Sequence, residues 1–163
     1  MGLDRRERKR ILAQITHRSG RILVADDDPL IRNLVTSILK NEGHGVIAVN
    51  DGREAIRILK SDCDFDAAIF GVRMPHLGGT EVILHMRTEK RLMRIPVLLI
   101  TSEQSFTLMK DSFAAGATAF LSKPLIPGQV LTVVRMLLSQ STEIKGTTSG
   151  RQSPHRAPVN TSS

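Results

Sequence analysis

Apolar residues along the chain fall into short runs that alternate with longer stripes of helical period. Ile22-Leu23-Val24-Ala25 is a continuous apolar run closed by Asp26-Asp27-Asp28-Pro29. A run of that length, bounded by turn formers, predicts a buried strand. Asp28 suits a helix N-cap and Pro29 the first helical position. Leu30, Ile31, Leu34, Val35, Ile38 and Leu39 then recur at helical spacing, and Gly43 and Gly45 bracket the stop. The alternation repeats. Val46–Val49, Ala67–Phe70, Val97–Ile100 and Ala119–Leu121 read as further strands. Helices carrying Ala55, Ile56 and Leu59, then Val82, Ile83 and Met86, then Phe106, Leu108, Met109 and Phe113, separate them. A last helix opens at Pro127 and carries Val130, Leu131, Val134, Leu137 and Leu138. Five strands alternating with five helices predict an α/β protein: a parallel sheet covered by helices on both faces.

The two ends break this pattern. Residues 4–18 carry a thin apolar stripe of Ile11, Leu12 and Ile15, enough for a short helix that is marginal alone. Residues 141–163 are rich in Ser, Thr, Pro and Gly, with Ile144 and Val159 as the large aliphatics, which predicts disorder. The expected organisation is a basic extension over 1–20, a folded domain over 21–140 and a basic Ser/Thr/Pro-rich tail over 141–163.

Charge follows the same division. The 163 residues carry a formal net charge of +7, a balance that invites a nucleic-acid reading. Residues 22–139 hold 13 basic and 13 acidic side chains, so the positive charge lies wholly outside the middle of the chain. Cys63 is the sole cysteine, which excludes a disulfide framework and a Cys-based zinc site. The chain contains no apolar run long enough to span a membrane and no secretory signal, so a cytoplasmic location is expected. Trp and Tyr are absent and Phe numbers five, which leaves few platforms for stacking nucleic-acid bases.

In a doubly wound sheet the polar site forms beyond the carboxyl ends of the strands. There the sequence places Asp26 and Asp27 after strand one, Gly71 after strand three, Thr101 after strand four, and Lys123 with Pro124 after strand five. Paired carboxylates suit Mg²⁺, and a lysine with a hydroxyl suits phosphoryl oxygens. Phosphoryl transfer also needs a nucleophile between them, and the natural place for it holds Gly71. The segments ILVADDDPLIR, DFDAAIFGVRMPHLGG, PVLLITS and AAGATAFLSKP together resemble the receiver domain of bacterial response regulators in two-component signalling, as in the chemotaxis response regulator. The resemblance covers about residues 21–140. It implies a flavodoxin-like, doubly wound (βα)5 three-layer sandwich with strand order 2-1-3-4-5.

By the same resemblance the acidic pair falls on Asp26 and Asp27, the hydroxyl on Thr101, the lysine on Lys123 and the switch aromatic on Phe120. The peptide before Pro124 is expected to be cis. A metal would be held by Asp26, Asp27 and the backbone carbonyl of Arg73, weakly. Pro75 and Gly79 match the family's residues after the phosphorylation site. The family's phosphorylated Asp aligns with Gly71, which has no side chain to modify. Asp66 lies at the other end of its strand, about 16 Å away. The expectation is a pseudo-receiver: a non-enzymatic, phosphorylation-independent interaction module. It would meet a histidine kinase or downstream effector through the helix after strand four, strand five and the helix that follows.

Two side chains near the site have alternative placements. Lys123 is expected to pair with Asp26 or Asp27, and Arg73 to fold into the space that the missing carboxylate leaves. His44, His76 and His85 lack metal-ligand spacing and read as surface groups. Two other functions compete. Asp26 and Asp28 resemble the Asp-x-Asp of a haloacid-dehalogenase-type phosphatase with Asp26 as nucleophile. Against this, Leu30 fills the usual Thr or Val place, no late acidic pair follows Lys123 and no cap domain fits. A nucleic-acid-binding protein acting through its basic ends is the other alternative.

Overall fold

The computed structural model describes residues 2–16 and 19–148. Its elements run α1 (Arg5–Thr16), β1 (Arg21–Ala25), α2 (Pro29–Asn41), β2 (Gly45–Val49), α3 (Gly52–Ser61), β3 (Ala67–Gly71), α4 (Gly79–Arg87), β4 (Val97–Thr101), α5 (Phe106–Ala115), β5 (Ala119–Ser122) and α6 (Pro127–Thr148). The strands form one five-stranded sheet in the order β2-β1-β3-β4-β5, and every pairing is parallel. The flavodoxin-like doubly wound arrangement expected from the sequence is the one observed.

Each inner strand is apolar at successive positions because it has two faces to bury. On β1, Leu23 and Ala25 enter one core with Phe70, Leu99, Leu59, Ile83 and Met86, under α3 and α4. Ile22 and Val24 face the other way and enter a second core with Ile69, Ile100, Val35, Leu39, Val130 and Val134, under α2 and α6. Caps fix where helices begin. Asp28 Oδ1 accepts the Leu30 N–H at 2.9 Å to start α2, and Ser105 Oγ accepts the Leu108 N–H at 3.2 Å to start α5.

The structure departs from the sequence reading in four places. First, α6 continues to Thr148, eight residues past the expected end of the folded domain at 140, while residues 149–163 of the predicted tail lie outside the described residues. The buried stripe of α6 reaches Ser141, and a helix already docked extends at little cost per residue. Second, Leu30 and Phe106 are 77% and 76% exposed, although their spacing counted them with apolar stripes. Leu34 and Phe113 are also exposed. Third, His44 is half-buried, and its Nδ1 accepts the Gly20 N–H at 3.0 Å. Fourth, His85 is half-buried on α4. The predicted N-terminal helix is present as α1. No described helix is long and apolar enough to cross a membrane.

Arg87 joins three segments that sequence spacing leaves unrelated. Its guanidinium donates to the carbonyls of Met93 at 2.6 Å, Ile95 at 3.2 Å and Gly116 at 2.7 Å. This clamps the end of α4, the 88–96 loop and the α5–β5 turn, and burial pushes the Arg87 pKa down. Gly116 sits at φ +116°, and a Cβ there would lie 2.7 Å from Arg87 Nε. Backbone conformation and close packing therefore both demand glycine. Replacing Arg87→Ala leaves these carbonyls without their charged donor. We expect a loss of about 3 kcal/mol, read from the urea midpoint, with Arg87→Lys recovering only part of it.

Candidate functional site

Parallel register brings four strand ends to one edge. Ala25 pairs with Phe70, Gly71 with Ile100, and Thr101 with Ser122. The next residue after β1 is Asp26, and the next after β5 is Lys123. Backbone bonds pin the first turns beyond the sheet: Asp26 N–H to Val49 O at 3.3 Å, Val72 N–H to Ile100 O at 2.8 Å, and Lys123 N–H to Thr101 O at 2.7 Å. The Lys123–Pro124 peptide is cis.

Asp26 is the buried acid of this edge, 3% exposed. Its Oδ1 accepts the Asp28 N–H at 2.9 Å. Its Oδ2 is shielded from solvent and has no hydrogen-bond partner. Lys123 Nζ stands 4.0 Å from that same oxygen. Burial pushes the Asp26 pKa up, and the Asp28 N–H and the Lys123 ammonium pull against that shift. The expected Lys123–Asp26 pairing is thus present as a loose contact. Asp27 is exposed and lines an open cleft of about 370 Å³ with Arg73, Met74, His76 and Glu81. His76 holds φ +68° in this cleft, a conformation with a strain cost for a residue bearing a Cβ.

Gly71, the last residue of β3, is buried beside Asp26. A Cβ built there would lie 3.0 Å from Asp26 Oδ2, 3.3 Å from its Cγ and 3.5 Å from Met74 Cγ. Its φ is not positive, so the backbone does not itself demand glycine. A side chain at this position would press directly on the acid.

Arg73 does not fold toward Gly71, contrary to the sequence expectation. Its side chain is 74% exposed and makes a two-pronged ion pair with Glu103, in which Nε meets Oε1 and Nη2 meets Oε2 at 3.1 Å. The reason is competition: Glu103 offers a carboxylate at the surface, where the guanidinium keeps its hydration. The pair holds Glu103 below the usual carboxylate range. Sequence reasoning missed Glu103, because thirty positions separate it from Arg73. Thr101 is buried, and its Oγ1 accepts the Glu103 N–H at 3.0 Å. The loops after β3 and β4 are therefore tied together across the mouth of the site.

Phe120 is half-buried on β5 and packs against Phe113, with ring centroids 6.5 Å apart. It lines a shallow apolar cleft with Phe106 and Met109. Asp66 lies at the opposite end of β3, where its Oδ2 accepts the Arg21 N–H at 2.9 Å, so it takes no part in the site. Among the described residues no three His, Cys, Asp or Glu side chains gather into a metal-ligating group. Two carboxylates are present, and the orphaned Asp26 Oδ2 is an oxygen that a hard cation would satisfy.

Comparison with known proteins agrees with this architecture. Residues 22–135 match the model of the response regulator receiver domain. The chain is 35% identical over 126 residues to "Response regulator MprA" of Mycolicibacterium vanbaalenii, covering 77% of this chain and 53% of that protein. It therefore spans about half the length of this curated relative. The structure is similar to the chemotaxis response regulator CheY4 of Vibrio cholerae, with TM-score 0.69, 31% identity, and coverage of 74% of this chain and all of that one. It shares its fold with the receiver domain of a Pseudomonas aeruginosa sensor histidine kinase (TM-score 0.69, 22% identity, 75% of this chain and 99% of that one). That structure carries magnesium in its active-site cleft. The chain belongs to the response regulator receiver family of two-component signalling.

Proposed function

We propose that this receiver acts as a phosphorylation-independent protein-interaction module of a two-component pathway. One observation carries the reading. The residue at the carboxyl end of the central strand β3, beside the buried Asp26, is Gly71, and it presents no nucleophile. Lys123, which would bind a phosphoryl oxygen, faces the carboxylate of Asp26 at 4.0 Å instead. Asp26 is a poor substitute nucleophile, since Oδ2 is shielded from solvent. The same shielding argues against a phosphatase built on Asp26. The module is read as non-enzymatic and cytoplasmic.

Asp26, Asp27 and the Arg73 carbonyl are the groups that would hold Mg²⁺. The ion would neutralise the acidic pair, and it would do so with one carboxylate fewer than an Asp at position 71 would give. The partner, a histidine kinase or a downstream effector, would meet the α5–β5–α6 face. That face supports the assignment with exposed aromatic surface: Phe106 and Phe113 stand out from α5 beside Phe120, and such surface on a folded domain marks interaction sites. With phosphorylation absent, the Arg73–Glu103 tie and the Thr101 bond would hold the adjoining loop in one arrangement.

Two experiments test the reading. Incubated with a small phosphodonor and Mg²⁺, the protein should show no added phosphoryl group by intact mass, and Gly71→Asp should gain one. A stable adduct on the unaltered chain would overturn the proposal. The same Gly71→Asp change crowds Asp26 and adds a like charge. It should cost about 1–2 kcal/mol without Mg²⁺ and recover most of that when Mg²⁺ is added. For the acid itself, Asp26→Asn removes a buried charge with one unpartnered oxygen. We expect a higher melting temperature in chelator, by roughly 1 kcal/mol of stability, and loss of any melting shift that Mg²⁺ gives the unaltered protein.

A further inference from the structure

The positive charge left outside the receiver fold has a structure of its own. Five of the six residues from Arg5 to Arg10 are cations: Arg5, Arg6, Arg8, Lys9 and Arg10. They open α1, and the two acids of the segment serve its first turn. Glu7 Oε2 accepts the Asp4 N–H at 3.1 Å, and Asp4 O accepts the Arg8 N–H at 2.9 Å. Acids in that turn also suit the positive end of the helix. Every residue from Gly2 to Lys9 is exposed. Arg5–Lys9 and Arg6–Arg10 stand at the four-residue spacing at which like charges repel on a helix. An external polyanion would offset that repulsion.

The location of this charge matters as much as its density. The chain enters the sheet at Gly20, whose ideal Cβ would fall 2.5 Å from Leu138 Cδ2 of α6. The N-terminal segment thus meets the domain beside α6, at the amino ends of the strands, the pole opposite Asp26. That pole's own acids do not compete for the cations: Asp62 pairs with Arg21 at 2.6 Å, and Asp64 and Asp66 have partners.

We propose that α1 is a nucleic-acid-binding arm. Its ligand would be the phosphate backbone of a duplex, bound without base readout. The arrangement of charge favours a duplex over an anionic membrane. At 100° per residue, Arg5, Lys9, Arg6 and Arg10 sweep one side of the helical wheel, while Arg8 falls between the positions of Ile15 and Leu12 on the other. No unbroken apolar face remains to enter a bilayer. The arm would tether the receiver to nucleic acid and leave the Asp26 pole and the α5–β5–α6 face open.

The test uses the full chain and a short, labelled, random-sequence duplex, with anisotropy followed over a range of salt. Five cations predict a slope of log affinity against log salt on the order of −4 to −5. Changing Arg5, Arg6, Arg8, Lys9 and Arg10 together to Gln should weaken binding roughly a hundredfold and leave the thermal transition of the domain unchanged. A second variant with Arg5→Lys, Arg6→Lys, Arg8→Lys and Arg10→Lys should keep the binding, since charge and not the guanidinium carries it. Three results would each overturn the proposal: no binding at low salt, equal binding by the Gln variant, or tighter binding to phosphatidylserine vesicles than to the duplex.

Discussion

The inner strands β1, β3 and β4 must bury both of their faces, and the rest of the structure depends on that demand. A strand apolar on both sides needs a helix layer above and below, which forces a helical crossover between parallel neighbours. Here α2 and α6 close one side, and α3, α4 and α5 close the other. Parallel strands then all end at the same edge. Asp26, Gly71, Thr101 and Lys123 are neighbours for that reason, although the chain separates the first and last by nearly a hundred positions. The site is a consequence of how the sheet buries itself.

Within that edge one electrostatic fact organises the rest. Asp26 is a carboxylate taken out of water with one of its two oxygens making no hydrogen bond. Desolvation disfavours its charge, while Lys123 at 4.0 Å and the Asp28 N–H favour it. Gly71 gives Asp26 its room, because any side chain at that position would touch it. The missing nucleophile and the space around the buried acid are thus one feature seen from two residues. The exposed Arg73–Glu103 pair belongs to a different regime. It contributes little to stability, as surface pairs do, but it sets where two loops meet.

Charge divides along the chain. Residues 22–139 are neutral and carry acids at both edges of the sheet, Asp26 and Asp27 at the carboxyl edge and Asp62, Asp64 and Asp66 at the amino edge, while the excess cations lie before and after this span. The start of α1 is exposed from Gly2 to Lys9 and strongly cationic, a density of like charge that an external anion would relieve.

Periodicity alone was enough for the alternation of five strands and five helices, because inner strands and amphipathic helices leave distinct apolar spacings. The rule that a doubly wound sheet gathers its polar site at the carboxyl ends of the strands brought Asp26, Asp27, Thr101 and Lys123 to one edge, and the resemblance of the motifs to a known family supplied the strand order. Spacing is weaker where a helix is only half covered. Leu30 and Phe106 fit apolar stripes yet face solvent, since a stripe says which side is apolar and not whether anything lies over it. The end of α6 was illegible for a related reason: polar composition argued for disorder, but a docked helix carries such residues at little cost. Only the tertiary structure decided the pairings made through space. Arg73 turned outward to Glu103, Arg87 gathered three carbonyls from separate segments, and Asp26 Oδ2 was left without a hydrogen bond. Each depends on distances between residues far apart in the chain, and a linear pattern holds no record of those distances.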